Sequence, residues 1–415
     1  MKFPIEVLEE NKTKEKLLEV LKSEVCDSCL GRQWGMTGHG LTNAERGKIL
    51  REFASKLTKT ELKEPDACTL CNNFFKDGIN KVVNEIIKKV RGIEVNTFLI
   101  GTTPSSELER KQENLWGRIG IEDVETIKSE INREVGKRIE KLTKKKFDLK
   151  NPDVTIVVDL NTNTIRTQVK SLYIYGKYQK LARGIPQTKW ICSKCVGKGC
   201  TFCKGEGKLY KTSIQEIIET PLLTTTRSKN SSMHASGRED VDARNLDWRP
   251  FVIELIKPVR RKINLKEIGK RINKSKKVKV KALRIVDNGK ELIRKLKTDR
   301  IDKTYLVDAE FKNKIDRKLL KNLKNITKEA VLQKTPTRVV HRRANKTRKR
   351  HVKKFLYKVV GNKKMQFKVR AESGLYIKEL ITGDEGRTQP NVSELINNKV
   401  KKLSLDVIKI WTGKG

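Results

Sequence analysis

The sequence predicts an α/β (α+β) protein of several domains, on three observations. Apolar residues recur at helical spacing inside charged segments, as with Ile79, Val82, Val83, Ile86 and Ile87. Runs rich in β-branched and aromatic residues at 154–160, 164–169 and 251–255 alternate with those helical patterns. All 8 cysteines fall into C-x-x-C pairs, a spacing that lets two thiolates face one ion.

At 415 residues and 36% hydrophobic content, the chain can build two or three cores. Its 93 Lys and Arg against 50 Asp and Glu give a net charge of +43, spread along most of the length. Such a field names a polyanionic partner but does not separate an RNA enzyme from an RNA-binding scaffold. No N-terminal stretch reads as a secretion signal, and no run of about 18 apolar residues offers a membrane span. A soluble, intracellular, cytoplasmic protein is expected.

Residues 11–24 predict an amphipathic helix with Leu17, Leu18, Val20 and Leu21 on its apolar side, leading into Cys26 and Cys29. A second helical pattern spans 43–57, and Cys68 and Cys71 follow Pro65. The 38 residues between the two pairs are long for a zinc ribbon, and an inserted helix accommodates them. This module is placed at 1–75. An α/β domain at 76–185 follows, with a helix at 76–89, a strand at 97–101, a helix at 124–142 and a hairpin of strands 154–160 and 164–169 turning at Asn161, Thr162 and Asn163. A further strand at 172–178 and the stretch 180–184 close it.

Residues 186–190 mark a junction, and 186–210 form a second cysteine module. Cys192, Cys195, Cys200 and Cys203 enclose a loop containing Gly197 and Gly199, where positive φ suits tight turns about a small ion. Four thiolates around one zinc leave no open coordination position, so a structural site is expected. A crossed arrangement with the N-terminal cysteines is less economical, and one or two zinc ions are expected in all.

The last domain, 211–415, opens with a helix capped by Ser213 and Glu216. The chain is organised around the loop 233–249, where charged and small residues alternate ahead of the strand 251–255. Gly237 allows close backbone approach, Arg238 can hold a carboxylate two residues on, and acid is crowded among base. A solvated loop with local ion pairs is the plain alternative. Beyond it come a strand at 278–286 and a helix at 288–297, then three further blocks at 303–310, 333–350 and 372–390.

Gly237-Arg238-Glu239-Asp240 resembles the G-R-x-D motif of pseudouridine synthases. The run from His234 to Arg244 resembles the archaeal and eukaryotic tRNA pseudouridine synthase family that modifies the T arm, the sixth of that superfamily, in its archaeal type. Lys303-Thr304-Tyr305, Gln333 to Arg343, and Gly374-Leu375-Tyr376-Ile377-Lys378 match the same family in the same order. The resemblance implies a THUMP-type RNA-binding domain at 76–185 and a mixed-sheet pseudouridine synthase domain at 211–415.

It further implies a cofactor-free isomerisation of uridine at positions 54, 55 or both of tRNA. Asp240 would be the nucleophile, with Arg238 and Lys378 orienting it. Tyr305 would stack on the uracil with Tyr376 opposite, and His234, Arg244, Arg342 and Arg343 would contact RNA. Asp242 is the rival nucleophile. The resemblance favours a monomer. A non-catalytic zinc-containing tRNA-binding protein is the alternative function; a THUMP-containing thiouridine-forming or methylating enzyme would need an ATP loop or a glycine-rich cofactor strand, and neither is found.

Overall fold

The computed structural model describes residues 3–342 and 344–412. Cα proximity divides the chain into two units, Met1–Lys170 and Ser171–Gly415.

In the first unit, helix α1 (Asn11–Leu21) buries Leu17 and Val20, as their spacing predicts. Helix α2 (Asn43–Thr58) starts at a capping box, Thr42 accepting from the Glu45 amide while the Glu45 side chain accepts from the Thr42 amide. It lies against the short helix Asp27–Gly31 at backbone contact: a Cβ on Gly47 would sit 1.9 Å from the Asp27 carbonyl oxygen, and one on Gly31 would sit 1.9 Å from that of Asn43. Both glycines are required by that approach. This is the helix inserted between the first two cysteine pairs.

Helix α3 (Ile79–Val90) then buries Ile79, Val83, Ile86 and Val90. Strand β1 (Thr97–Thr103), helices α4 (Ser106–Ile119) and α5 (Ile127–Thr143), and strands β2 (Lys146–Phe147), β3 (Val154–Asp159) and β4 (Thr164–Val169) complete a four-stranded sheet ordered β2-β1-β3-β4. β1 runs parallel to β2 and β3, and β3 pairs antiparallel with β4 through the expected hairpin. Helix α4 was not legible, because its buried residues reduce to Leu108, Gln112 and Leu115 in a highly charged stretch.

The second unit begins with strand β5 (Leu172–Lys180), and here the structure departs from expectation. β5 was read as closing the first α/β domain. It instead pairs antiparallel on both sides, with β7 (Arg244–Ile256) and β8 (Val278–Val286). A strand buried from two sides belongs to the larger sheet, so the two units divide at 170/171 rather than at 185/186.

Helix α6 (Ile214–Thr226) leads into strand β6 (Asn230–Ala235), which pairs with the second half of β7. Helices α7 (Leu265–Asn273) and α8 (Gly289–Thr298) flank β8 in the chain. Strands β9 (Lys303–Phe311), β12 (Val352–Gly361), β13 (Lys364–Ala371) and β15 (Val400–Ile410) extend the sheet in the order β12-β13-β9-β15-β7-β5-β8. All these pairings are antiparallel except β15 with β7, so the sheet is mixed. A small sheet of β10 (Val331–Lys334), β11 (Thr347–Arg350) and β14 (Thr388–Gln389) stands apart, with helix α9 (Ile377–Thr382) between β13 and β14 in the chain. Two apolar cores result, one around Phe251, Ile253 and Ile218 and one around Phe311, Phe367 and Leu380.

Among the described residues, no helix is long and apolar enough to cross a membrane.

Candidate active site

The loop between β6 and β7 is held by charges beneath it. Glu239 points down, where its carboxylate lies 3.2 Å from Arg249 Nε and accepts from the Tyr178 hydroxyl at 3.0 Å. Arg249 also donates to the Ser236 carbonyl at 2.7 Å and to Asn245 Oδ1 at 3.1 Å. The ion pair is sealed from solvent, with side-chain exposures of 1% and 0%. Burial next to Glu239 pushes the Tyr178 phenol well above its ordinary range.

Gly237 adopts φ +75°, and a Cβ there would meet Arg249 Nη1 at 3.2 Å. Its freedom therefore serves the turn over Arg249 and Lys303. Lys180, at the end of β5, donates to the carbonyls of Asp240 and Val241 at 2.9 and 2.8 Å, and burial draws its ammonium down to about 8. Arg183 donates to the carbonyl of Asp242 at 2.8 Å. Residues 180–184, read from sequence as the end of the first α/β domain, thus brace this loop.

With Glu239 anchored below, Asp240 faces a cavity of about 680 Å³ whose wall includes Tyr305, Tyr376, Lys378 and Arg338. Among the described residues, Asp240 lies 3.1 Å from Arg338 Nη1 and 3.4 Å from Lys378 Nζ. Arg338 was read from sequence only as part of the matching block Gln333 to Arg343. Its position beside Thr335 and Pro336, where the chain leaves β10, was the available signal. Arg338 is itself fixed by Glu379, 2.7 Å from its Nε. Arg238, expected to hold the carboxylate, has its guanidinium carbon 5.1 Å from the Trp190 ring centroid.

Lys378 lies 2.7 Å from Asp242 as well. Partial burial opposes ionisation of Asp242, but the Lys378 ammonium overcomes it and draws the carboxyl below its ordinary range. Asp242 is 66% exposed in its side chain against 31% for Asp240, and it does not line the cavity.

Tyr305 projects from the middle of β9, paired with Val369 on β13 and Val407 on β15. Burial pushes its phenol up to about 12. Tyr376 caps the N-terminal end of α9, and its backbone is clamped by Gln333, which accepts from the Tyr376 amide at 2.8 Å and donates to its carbonyl at 3.0 Å. The guanidiniums of Arg338 and Arg348 each lie 5.9 Å from the Tyr376 ring centroid. Lys303, two residues before Tyr305, also reaches the cavity wall, and burial, aided by the Arg249 charge, lowers its ammonium to about 8.

The remaining expected residues lie elsewhere. His234 sits on β6, 3.9 Å from Glu254 and outside the cavity lining; burial lowers its pKa. Arg244 forms an ion pair with Asp406 at 2.6 Å, joining the start of β7 to β15. The expected RNA contacts of the Arg342 and Arg343 side chains fall outside what is described.

Both cysteine sets assemble from neighbouring pairs, without crossing: Cys26, Cys29, Cys68 and Cys71 in one group, Cys192, Cys195, Cys200 and Cys203 in the other. In each, the four sulfurs lie within 4.8 Å of one another, so each group could hold a metal ion. The second group also receives backbone donors, with the amides of Gly199, Cys200 and Gly207 each 3.2 Å from a sulfur. In the first, the buried Arg32 lies 3.6 Å from the Cys29 sulfur and 2.9 Å from Glu130 on α5. Such donors stabilise thiolate charge, which fits a tetrathiolate metal site.

Residues 173–411 match the family model described as "Pus10, C-terminal", and residues 82–159 match "Pus10 THUMP domain, archaeal". The chain belongs to the Pus10 family. Relatives named "tRNA pseudouridine synthase Pus10" include those of Methanothrix thermoacetophila, 37% identical over 93% of this chain and 91% of that one, and Methanocaldococcus jannaschii, 37% identical over 94% and 93%. Likeness to solved structures is slight: the "Crystal Structure of a Cbf5-Nop10-Gar1 Complex" aligns at TM-score 0.30 and 13% identity, covering 56% of this chain and 48% of that one. Pseudouridine synthases are isomerases, and this member of the Pus10 family is one. The α/β unit between α3 and β3 is its THUMP domain.

Proposed function

We propose that the chain converts uridine to pseudouridine in the T arm of tRNA, at position 54, 55 or both, with Asp240 as the reacting carboxylate. The carrying observation is that Asp240, in the G-R-x-D loop, faces a cavity walled by Tyr305, Tyr376, Arg338 and Lys378. The names of the relatives supply the tRNA substrate, and the net charge of +43 suits it.

In the proposed mechanism the target nucleotide is extruded into the cavity, at a cost of a few kcal/mol that backbone contacts offset. Asp240 acts on the ribose, either by attack at C1′ or by abstraction of a sugar proton, and the bond from C1′ to N1 breaks. The uracil turns and C5 joins C1′ as the bond from Asp240 to C1′ breaks or the abstracted sugar proton returns, the C5 proton leaves and N1 gains one, so the reaction is redox-neutral. Arg338 and Lys378 orient the carboxylate by charge-assisted hydrogen bonds. Tyr305 stacks on the base and Tyr376 closes the opposite side. Both cysteine groups hold zinc, which has a structural duty because four protein sulfurs leave no position open.

The test is pseudouridine mapping on an unmodified tRNA transcript treated with the full chain, beside transcripts carrying cytidine at position 54 or 55. Pseudouridine confined to those two positions is expected. Modification elsewhere contradicts the T-arm assignment, and no pseudouridine despite tight tRNA binding contradicts the reaction.

A further inference from the structure

Two cations lie side by side beneath the glycine of the G-R-x-D loop, and they are matched differently. A Cβ on Gly237 would stand 3.2 Å from Arg249 Nη1 and 3.7 Å from Lys303 Nζ. Arg249 has the Glu239 carboxylate at 3.2 Å. Lys303 is 8% exposed and forms no ion pair with a carboxylate among the described residues. Its ammonium donates to the Ile301 carbonyl at 2.9 Å, which uses one of its three N–H groups.

A buried cation without an anion, set next to a second cation, destabilises the fold. Lys303 nevertheless stands in the cavity wall with Tyr305, which lies two residues on along β9 and so on the same face of the strand. At pH 7 it is mostly charged, because burial and the Arg249 charge lower its pKa only to about 8. The cavity therefore holds a cation whose partner must come from whatever enters it.

The isomerisation supplies such a partner. When the bond from C1′ to N1 breaks, its electron pair goes to N1, and the uracil carries a negative charge shared with O2 and O4 until C5 bonds to C1′. That holds whether Asp240 attacks C1′ or removes a sugar proton. Turning the ring about the axis through N3 and C6 exchanges N1 with C5 and O2 with O4. A donor fixed in the wall thus faces a carbonyl oxygen both before and after the turn.

We propose that Lys303 is a catalytic residue whose ammonium donates to a uracil carbonyl, stabilises the uracil anion as the base leaves the sugar, and faces the second carbonyl once the ring has turned. The proton stays on Lys303 throughout, so the balance of the reaction is unchanged. A cytosine in the same place would present its amino group to this donor in one of the two orientations, so Lys303 also selects uracil. This role rests on the uridine reading above, in which Asp240 and Tyr305 act on the same base.

The test uses the full chain, the variant Lys303→Met, and tRNA transcripts carrying uridine, 2-thiouridine or 4-thiouridine at the modified position, each tritiated at C5. Release of tritium in a single turnover reads the reaction. Lys303→Met is expected to slow the uridine substrate about 100-fold, the effect of removing one preorganised donor to a developing anion. Its tRNA affinity should match wild type, and its melting temperature should be no lower. Sulfur accepts more weakly than oxygen, so one of the two thio substitutions should slow wild type about fivefold more than it slows Lys303→Met. Comparing the two proteins cancels what sulfur does to the base itself. A wild-type rate in Lys303→Met, or equal thio effects in both proteins, overturns the proposal. Should Lys303→Met not fold, Lys303→Gln carries the same comparison, with equal thio effects again the refuting result. A wild-type protein that makes no pseudouridine refutes the functional reading instead, whereas wild-type turnover unaffected by the Lys303 variants refutes only this role.

Discussion

Glu239→Gln tests the footing of the loop that carries Asp240. The substitution keeps the size of the side chain and its hydrogen-bonding capacity toward Tyr178, but removes the counter-charge of Arg249. Both side chains are sealed, at 1% and 0% exposure, so water cannot screen the orphaned guanidinium. Breaking a buried pair from one side costs about 3–5 kcal/mol. Arg249 retains the Ser236 carbonyl and Asn245 Oδ1 as acceptors, which puts the expected loss at the low end, about 3 kcal/mol. For a unit of this size that corresponds to a fall of about 6–12 °C in melting temperature. Thermal unfolding by circular dichroism reads it, and amide exchange at 236–243 should rise with it. The double variant Glu239→Leu/Arg249→Met removes both charges and should recover much of the loss, because an apolar pair avoids the desolvation penalty. A fall under about 2 °C in the single variant, or strictly additive effects of Glu239→Leu and Arg249→Met, would refute the reasoning.

Arg338→Ala removes a cation 3.1 Å from Asp240 and should slow single-turnover pseudouridine formation about 10–100-fold, the worth of one charge-assisted hydrogen bond; an unchanged rate removes Arg338 from the site. Lys303 has its folded pKa lowered to about 8 from 10.5, so between those values the unfolded state binds more protons and stability rises with pH. Lys303→Met should raise the denaturation midpoint at pH 7 and flatten that rise, measured from pH 7 to 10. Chelation at neutral pH should strip metal from both cysteine groups and lower stability, and mass spectrometry of the native protein should find two ions per chain. Cys29→Ser should remove one of those ions and leave the second cysteine module loaded.

Much of this arrangement was legible in the chain because its signals are local. Helix α3 announced itself by the spacing of Ile79, Val83 and Ile86, and the short interval between Cys195 and Cys200 declared the second cysteine group. The G-R-x-D run and Lys378 pointed to the same carboxylate across 138 positions only through resemblance; no periodicity links them. What sequence reading missed was non-local. Strand β5 looks like the end of the preceding α/β unit until its partners β7 and β8, far downstream, are known. Glu239 and Asp240 are adjacent acids with different partners, and nothing in their order says that one is sealed against Arg249 while the other is 31% exposed beside Arg338 and Lys378. Arg338 sits in a run of basic residues with nothing local to single it out, and only its approach to Glu379 and Asp240 distinguishes it. Strands β13 and β15 carry so many lysines that their alternate buried residues, Met365, Phe367 and Val369 in β13, were hidden by composition.

The most direct test of the central claim compares the wild-type protein with Asp240→Ala and Asp242→Ala in pseudouridine mapping on one tRNA transcript, with tRNA binding measured alongside. The geometry predicts loss of pseudouridine in Asp240→Ala with binding retained, and continued activity in Asp242→Ala, whose side chain is the more exposed of the two. Activity retained in Asp240→Ala and lost in Asp242→Ala would contradict the assignment of the reacting carboxylate.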